Sequence, residues 1–236
     1  MIQRIVDVWN WAMGIETISS SNLPIHTCMN IRPLIRDAWN STEADLHDQQ
    51  VSKEEVEYLC TSTTLTSLNL SENNLWNDSA ELLSQNTNLK HLDLSLTGIS
   101  EKGAELLSKN TSLESLKLYW CSQVRHDGVV PLLKNTTLKS LSLSHNTLCS
   151  TPEFQTTTIK SLDLSWNMMF GSLKYLSKNP NITHLDLSHC YLREDDNLSV
   201  FSKTPLLRTL ILTGNRCRPD IKQLLETANP NLTVIV

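Results

Sequence analysis

Aromatic, imidazole and carboxylate side chains recur in the middle of the chain at regular distances. Four rings, two of tryptophan and two of histidine, are spaced 21 to 25 residues apart, with a tyrosine and two aspartates close to them. The set comprises Tyr119, Trp120, His145, Asp163, Trp166, Asp186 and His189. Tryptophan and tyrosine dominate the binding energy of many protein interfaces, and histidine can make binding sensitive to pH. If these side chains meet in space, we expect a docking surface for a partner protein.

Some of the same residues also allow a catalytic interpretation. Ser144 and Ser165 each precede one of the four rings, so serine, histidine and aspartate residues can be combined into the constellation of a hydrolase. A strand sequence rich in serine and aspartate produces such combinations by coincidence, and an open sheet provides no oxyanion hole. We therefore expect no enzymatic activity, and keep the hydrolase as an alternative from another functional class.

A metal site can be drawn from His184, His189, Cys190 and Cys217. Neighbouring residues of a strand point to opposite faces, so His189 and Cys190 should not reach one ion at ligand distance. The chain contains neither a phosphate-binding P-loop nor a dinucleotide fingerprint. The sequence thus predicts no metal and no cofactor.

A leucine pattern of eleven residues positions these side chains. It begins as LTSLNLSENNL at Leu65, with leucine at the first, fourth, sixth and eleventh places and asparagine at the ninth. Seven full copies and a final half-copy begin at Leu65, Leu89, Leu113, Leu138, Ile159, Ile182, Leu207 and Leu232. Alternation along a strand turns the leucines inward and the third, fifth and seventh places outward. The four rings all occupy the eighth place of successive copies, so we expect them to stack at the spacing of neighbouring strands.

Amphipathic segments such as SAELLSQN and GAELLSKN follow the strands and predict short helices on the opposite side. The segment STPEFQTTT, which contains Pro152, predicts an extended return instead. We predict an α/β leucine-rich repeat solenoid over residues 61–236, with a curved parallel sheet on the concave face and helices on the convex face. The ninth-place asparagines should bind backbone groups of neighbouring turns.

Residues 1–60 are predicted to form a helical cap over the open apolar end of the solenoid. Ile2, Ile5, Val6, Trp9 and Met13 have helical spacing, Trp9, Trp11 and Trp39 are expected in the core of the cap, and Ser52 with Glu55 forms a capping-box pattern.

Charge and composition narrow the classes of partner and compartment. The net charge is −5, which gives no electrostatic basis for binding nucleic acid or an anionic membrane. The sequence has neither an apolar run long enough to span a bilayer nor a typical signal peptide. Two of the six cysteines occupy the ninth place, where a small buried side chain fits, so we expect reduced thiols. These features predict a monomer in the cytoplasm, or in the cytosol of a host cell.

The repeats resemble the ribonuclease-inhibitor-like leucine-rich repeats in a shortened form. The copy from Leu113, with Cys121, Val124 and Gly128-Val129, also resembles the cysteine-containing repeats of F-box proteins, although Arg125-His126 replaces the usual Thr-Asp. Repeats rich in serine, asparagine and lysine are similar to those of the effectors that intracellular bacterial pathogens inject into host cells. These resemblances imply a binding module without catalysis, with a host protein as partner. An alternative is the substrate receptor of a ubiquitin ligase, with residues 1–60 bound to an adaptor.

Overall fold

The computed structural model describes residues 31–121, 123–149, 158–169 and 173–236. Nine strands of three residues form one parallel sheet in sequence order. They are β1 Glu43–Asp45, β2 Ser67–Asn69, β3 His91–Asp93, β4 Ser115–Lys117, β5 Ser140–Ser142, β6 Ser161–Asp163, β7 His184–Asp186, β8 Thr209–Ile211 and β9 Thr233–Ile235. The predicted α/β solenoid, with its parallel sheet on the concave face, is therefore confirmed.

Helical segments on the convex side connect the strands. They are α1 Pro33–Asn40, α2 Lys53–Leu59, α3 Asn77–Gln85, α4 Glu101–Leu107, α5 Arg125–Lys134, α6 Leu173–Leu176, a 3₁₀ helix Leu198–Lys203, and α7 Ile221–Ala228. The 3₁₀ segment replaces an expected α-helix: its two buried side chains, Leu198 and Phe201, are three residues apart, which matches three residues per turn. The predicted return STPEFQTTT lies outside the described residues except for its last threonine.

Leucine side chains from every turn form one continuous core between sheet and helices. In the first full copy, Leu65, Leu68, Leu70 and Leu75 are all buried. The register pairs the fourth places of successive copies directly, Leu68 with its counterpart Leu92 and so on along the sheet. Burying a leucine stabilises the fold by about 2 kcal/mol. The repetition of one apolar place per strand therefore fixes the register of the sheet.

The sheet begins before the first leucine copy. Strand β1 pairs with β2 in the same parallel register, and Leu46 and Val51 are buried where later copies have leucine. Residues 41–64 thus have the geometry of a degenerate repeat, although Ala44 replaces the fourth-place leucine. The sheet crosses the boundary that the sequence places at residue 60. Whether residues 1–60 act as a cap stays a prediction, and the helix expected at its start, with Trp9 and Trp11, lies outside the described residues.

The described part of the N-terminal segment is held by specific contacts. Trp39 is buried, as expected, and its indole Nε1 donates to Thr61 Oγ1 at 3.0 Å. Helix α2 begins with the predicted capping box between Ser52 and Glu55. Arg32 donates to both carboxylate oxygens of Glu55 at 2.7 and 2.8 Å. Burial raises the pKa of Glu55 while these hydrogen bonds lower it, and the net shift is downward.

Asparagines at the ninth place bind the neighbouring turn, as predicted. The Asn167 amide donates to the carbonyl oxygens of Leu143 and Leu164 at 2.9 Å. Its Oδ1 accepts from the backbone N–H groups of Asn146 and Leu148 in the preceding turn. At the other end of the strands a second set of buried asparagines acts similarly, for example Asn110, whose Nδ2 donates to three carbonyls of the preceding turn. The backbone groups that these asparagines bind are thereby satisfied, whereas Oδ1 of ninth-place Asn146 is buried without a hydrogen-bond partner among the described residues.

Candidate aromatic docking surface

The eighth place of each full copy adopts the left-handed backbone conformation. Its φ lies between 52° and 60° in the six non-glycine residues, and Gly214 has φ +74°. The residues are Glu72, Leu96, Trp120, His145, Trp166, His189 and Gly214. In each of the six, the backbone N–H donates to the seventh-place carbonyl of the next copy, as from Trp166 to Ser188 at 2.9 Å. These backbone hydrogen bonds stabilise the strained turn, and the eighth-place side chains line up along the rim where the strands end.

The four rings form one continuous stack along this rim. Trp120 and His145 are 4.7 Å apart between centroids and inclined by 12°, and His145 and Trp166 are 4.9 Å apart at 15°. Trp166 and His189 are 4.0 Å apart at 14°. Tyr119 contacts Trp120 and His145 edge-on at 6.1 and 5.2 Å. The stacking expected from the eighth-place register is confirmed, and we call these five residues the aromatic ladder.

The ladder shields its own faces but leaves its edges in solvent. Trp120 and Trp166 remain 51% and 48% exposed. Within the described residues, no ring nitrogen of the four stacked side chains forms a hydrogen bond. Burial lowers the pKa of His145, an effect that the charge of Asp163 opposes and that of His189 reinforces. The ladder therefore presents indole N–H donors and, at His145, an imidazole whose neutral form is favoured.

Both ends of the stack are defined by the neighbouring eighth places. At one end Gly214 carries no side chain, and a Cβ there would lie 2.3 Å from Cε1 and Nδ1 of His189. The ring of His189 occupies the space that a side chain would need. At the other end Leu96, which is 40% exposed, precedes Trp120.

The two predicted aspartates lie on neighbouring strands beside the ladder. Asp163 and Asp186 are directly paired in the register of β6 and β7. Asp163 accepts hydrogen bonds from the hydroxyls of Ser165 and Ser142, at 2.7 and 2.8 Å, and Asp186 accepts from the backbone N–H of Ser188. Among the described residues, neither carboxylate has a cationic side chain within 4 Å. The carboxylates are therefore oriented by hydrogen bonds but not neutralised by an ion pair.

Further large apolar side chains are exposed on the same rim and were not predicted as part of the site. They are Trp76, Leu96, Met168 and Tyr191, exposed by 52%, 40%, 38% and 65%. All four lie in the connections that leave the carboxyl ends of strands. Trp76 packs over Gly98, where a Cβ would be only 2.5 Å from its ring. Leu96 occupies the eighth place, Met168 and Tyr191 the tenth and Trp76 the twelfth. Strand alternation does not reveal the orientation of the tenth and twelfth places.

The structure does not assemble the alternative sites. The Ser165 hydroxyl donates to Asp163 and is also hydrogen-bonded to the hydroxyl of Ser144, and within the described residues neither serine hydroxyl is hydrogen-bonded to His145 or His189. A nucleophile–base pair therefore does not form. No group of three or more histidine, cysteine, aspartate or glutamate residues in the described ranges could hold a metal ion.

The ninth-place cysteines are core residues. Cys190 is buried, its thiol donates to the carbonyl of Leu164 at 3.2 Å, and burial raises its pKa to about 12. The ring of His189 points instead into the ladder, which is why the two side chains diverge. In the part of the chain that the structure describes, no helix is long and apolar enough to cross a membrane.

Comparisons with known proteins agree with this architecture. The Leucine Rich repeat family model matches residues 61–84, 85–108, 134–148 and 178–192. Internalin C2 from Listeria monocytogenes strain 4b F2365 is similar in structure, with a TM-score of 0.62 and 18% identity over 86% of this chain and 83% of that one. TLR13, from a TLR13–ssRNA13 complex, gives a TM-score of 0.59 and 20% identity over 88% of this chain. The chain spans about a third of the length of that TLR13 chain, 33%.

A comparison with curated protein sequences gave no match. The repeat matches, the nine-stranded sheet and the structural similarities together show that the chain is a leucine-rich-repeat solenoid.

Proposed function

We propose that the chain is a protein-interaction module that binds a partner protein on its concave face, through the aromatic ladder and the two carboxylates beside it. The observation that carries this proposal is the exposure of Trp120 and Trp166 within a fixed stack. Each indole remains about half exposed although its ring is held against its neighbours. A pre-ordered aromatic edge can enter an interface with little loss of side-chain entropy.

The position of the ladder supports the same function. A large exposed apolar patch is unusual on a soluble domain and commonly marks an interaction site. Six of the eleven large apolar side chains that are exposed among the described residues follow this one rim, from Trp76 to Tyr191. Backbone hydrogen bonds between neighbouring turns hold the left-handed eighth-place backbone on that rim. The Cα atoms from which the side chains project are therefore fixed in position.

Affinity capture with the full chain as bait, followed by mass spectrometry, tests the proposal. Changing Trp120→Ala together with Trp166→Ala should abolish capture of the specific partner. The matched control is Leu34→Ala with Leu224→Ala, which removes exposed apolar side chains from helices α1 and α7 away from the rim. Circular dichroism and urea unfolding establish that each bait is folded, because the double tryptophan change removes all three stacked contacts. A folded double variant that captures the same proteins would place the docking surface elsewhere.

The biological setting of this binding activity is a further part of the proposal. The resemblance of the repeats to those of pathogen effectors suggests a host protein as partner, and capture from mammalian lysate compared with bacterial lysate tests that. Recovery of a ubiquitin-ligase adaptor would favour the alternative role as a substrate receptor. We propose that the chain binds as a monomer, which light scattering after size-exclusion chromatography will measure.

A further inference from the structure

We infer that the partner presents a basic surface to the concave sheet. This inference rests on the proposed function and names the chemistry of the partner. The concave face is formed by the first and third residues of the nine strands. These eighteen positions include five carboxylates and one ammonium group, so the face carries four net negative charges when its histidines are neutral. The carboxylates are Glu43, Asp45, Asp93, Asp163 and Asp186, and the ammonium group belongs to Lys117.

The excess of negative charge belongs to the sheet surface and is not shared by the rim beside it. At the opposite rim, where the strands begin, the second places of the seven full copies carry four basic residues and one acidic residue. They are Lys90, Lys139, Lys160 and Arg208, with Glu114. The solenoid therefore has a basic rim, an acidic sheet and an aromatic rim side by side. A partner that covers the sheet and the ladder meets negative charge and apolar edges together.

Ion pairs within the chain neutralise only some of the carboxylates on this face. Lys117 Nζ lies 3.2 Å from Asp93, which compensates that carboxylate. Asp45 is hydrogen-bonded to the ring of His47 and to the amide of Asn69, both at 2.9 Å. The register brings Asp163 and Asp186 side by side, and like charges in directly opposed places destabilise a sheet. A lysine or arginine from a partner would relieve this repulsion at the point where the sheet meets the ladder.

The ladder restricts how such a cation can bind. The faces of His145 and Trp166 are covered by their neighbours, so a cation cannot lie over them. Ring edges carry partial positive charge and attract acceptors rather than cations. The basic group must therefore bind over the carboxylates of β6 and β7, while apolar or acceptor groups of the partner contact the ring edges.

Two fluorescently labelled peptides of equal length, one alternating arginine and leucine and the other glutamate and leucine, serve as probes. The basic peptide should bind the full chain at low salt at least tenfold more tightly than the acidic one. Asp163→Asn with Asp186→Asn should weaken its binding at least fivefold, whereas Glu81→Gln with Glu105→Gln, which removes two exposed charges from α3 and α4, should change it less than twofold. Both double variants remove two negative charges, so a difference between their peptide affinities shows that the position of the charges matters.

The outcomes separate this inference from the proposed function. Loss of peptide binding in the tryptophan double variant but not in the aspartate pair would overturn the basic-partner inference and leave the docking surface standing. Retained binding in both variants would contradict both. No binding of the basic peptide by the unaltered chain, tighter binding of the acidic peptide, or binding to neutral phosphatidylcholine vesicles in place of the peptide would overturn the inference.

Discussion

The end of the aromatic stack offers a direct test of its energetics, through Gly214→Ala. The left-handed backbone at this position costs an alanine about 1 kcal/mol that glycine does not incur. The new Cβ would lie 2.3 Å from two atoms of the His189 ring, so the ring must leave its place. Displacing it forfeits the stacking contact with Trp166, which is worth about 1 kcal/mol. We expect a total loss of about 2 kcal/mol in the free energy of unfolding.

A double-mutant cycle separates the two contributions. In a His189→Ala background there is no ring to displace, so Gly214→Ala should cost only about 1 kcal/mol for the backbone. Urea unfolding followed by tryptophan fluorescence gives the four free energies, and the coupling between the two positions should be about 1 kcal/mol. The same cost for Gly214→Ala in both backgrounds would show that His189 does not depend on the empty space at Gly214, and the explanation for the end of the stack would be wrong.

Three further predictions concern the core, the pH response and the thiols. Asn167→Leu should lower the unfolding free energy by about 3 kcal/mol, because it leaves two buried N–H groups without an acceptor, whereas exposed Asn74→Ala should cost under about 0.5 kcal/mol in the same urea titration. Because the pKa of His145 is lowered in the folded state, the unfolded chain binds the extra proton, so stability should fall as the pH drops below about 6.5. Melting temperatures at pH 7.5 and 5.5 should differ less in His145→Gln than in the unaltered chain. Iodoacetamide at pH 8 should alkylate exposed Cys149 long before Cys190, as peptide mass mapping will show; equal rates would contradict the burial of the latter thiol.

The fold was predictable because its determinant is local and repeated. A leucine at the fourth place of each copy fixes the inward face of a three-residue strand, and the copies have nearly constant length. Strand β1 was not predicted because Ala44 replaces that leucine and its neighbours Glu43 and Asp45 are charged. Two other contacts stabilise this strand. It pairs in register with β2, and the side chain of Leu46, directly after it, is buried in the core.

The site was predictable in part, for a related reason. The ladder follows from the eighth-place register alone, since residues one strand apart in a parallel sheet stack whatever their type. The left-handed backbone at that place is not visible in the residue types, because Trp120 and Trp166 do not favour it. The other exposed apolar residues of the rim were not predicted because Tyr191 and Trp76 lie beyond the strand. There the alternation of inward and outward residues no longer predicts where a side chain points. Whether any of these residues binds a partner stays a prediction.

The ninth-place side chains also determine which junctions between neighbouring turns of the solenoid are weakest. An asparagine such as Asn167 accepts two N–H groups of the preceding turn and donates to its carbonyl. Cys121 and Cys190 instead each donate one thiol bond to that turn and offer no amide oxygen. Thr97 Oγ1 donates to Leu94 of its own turn, and Asn146 donates one bond to the preceding turn while its Oδ1 has no partner among the described residues. Since stability in a repeat array is a sum of repeat and nearest-neighbour terms, the junctions at these four residues contribute less than those at Asn73, Asn167 and Asn215. Asn167 joins the turns that carry His145 and Trp166, so under a bending load these two turns should separate later than the turns joined through Cys121 or Asn146.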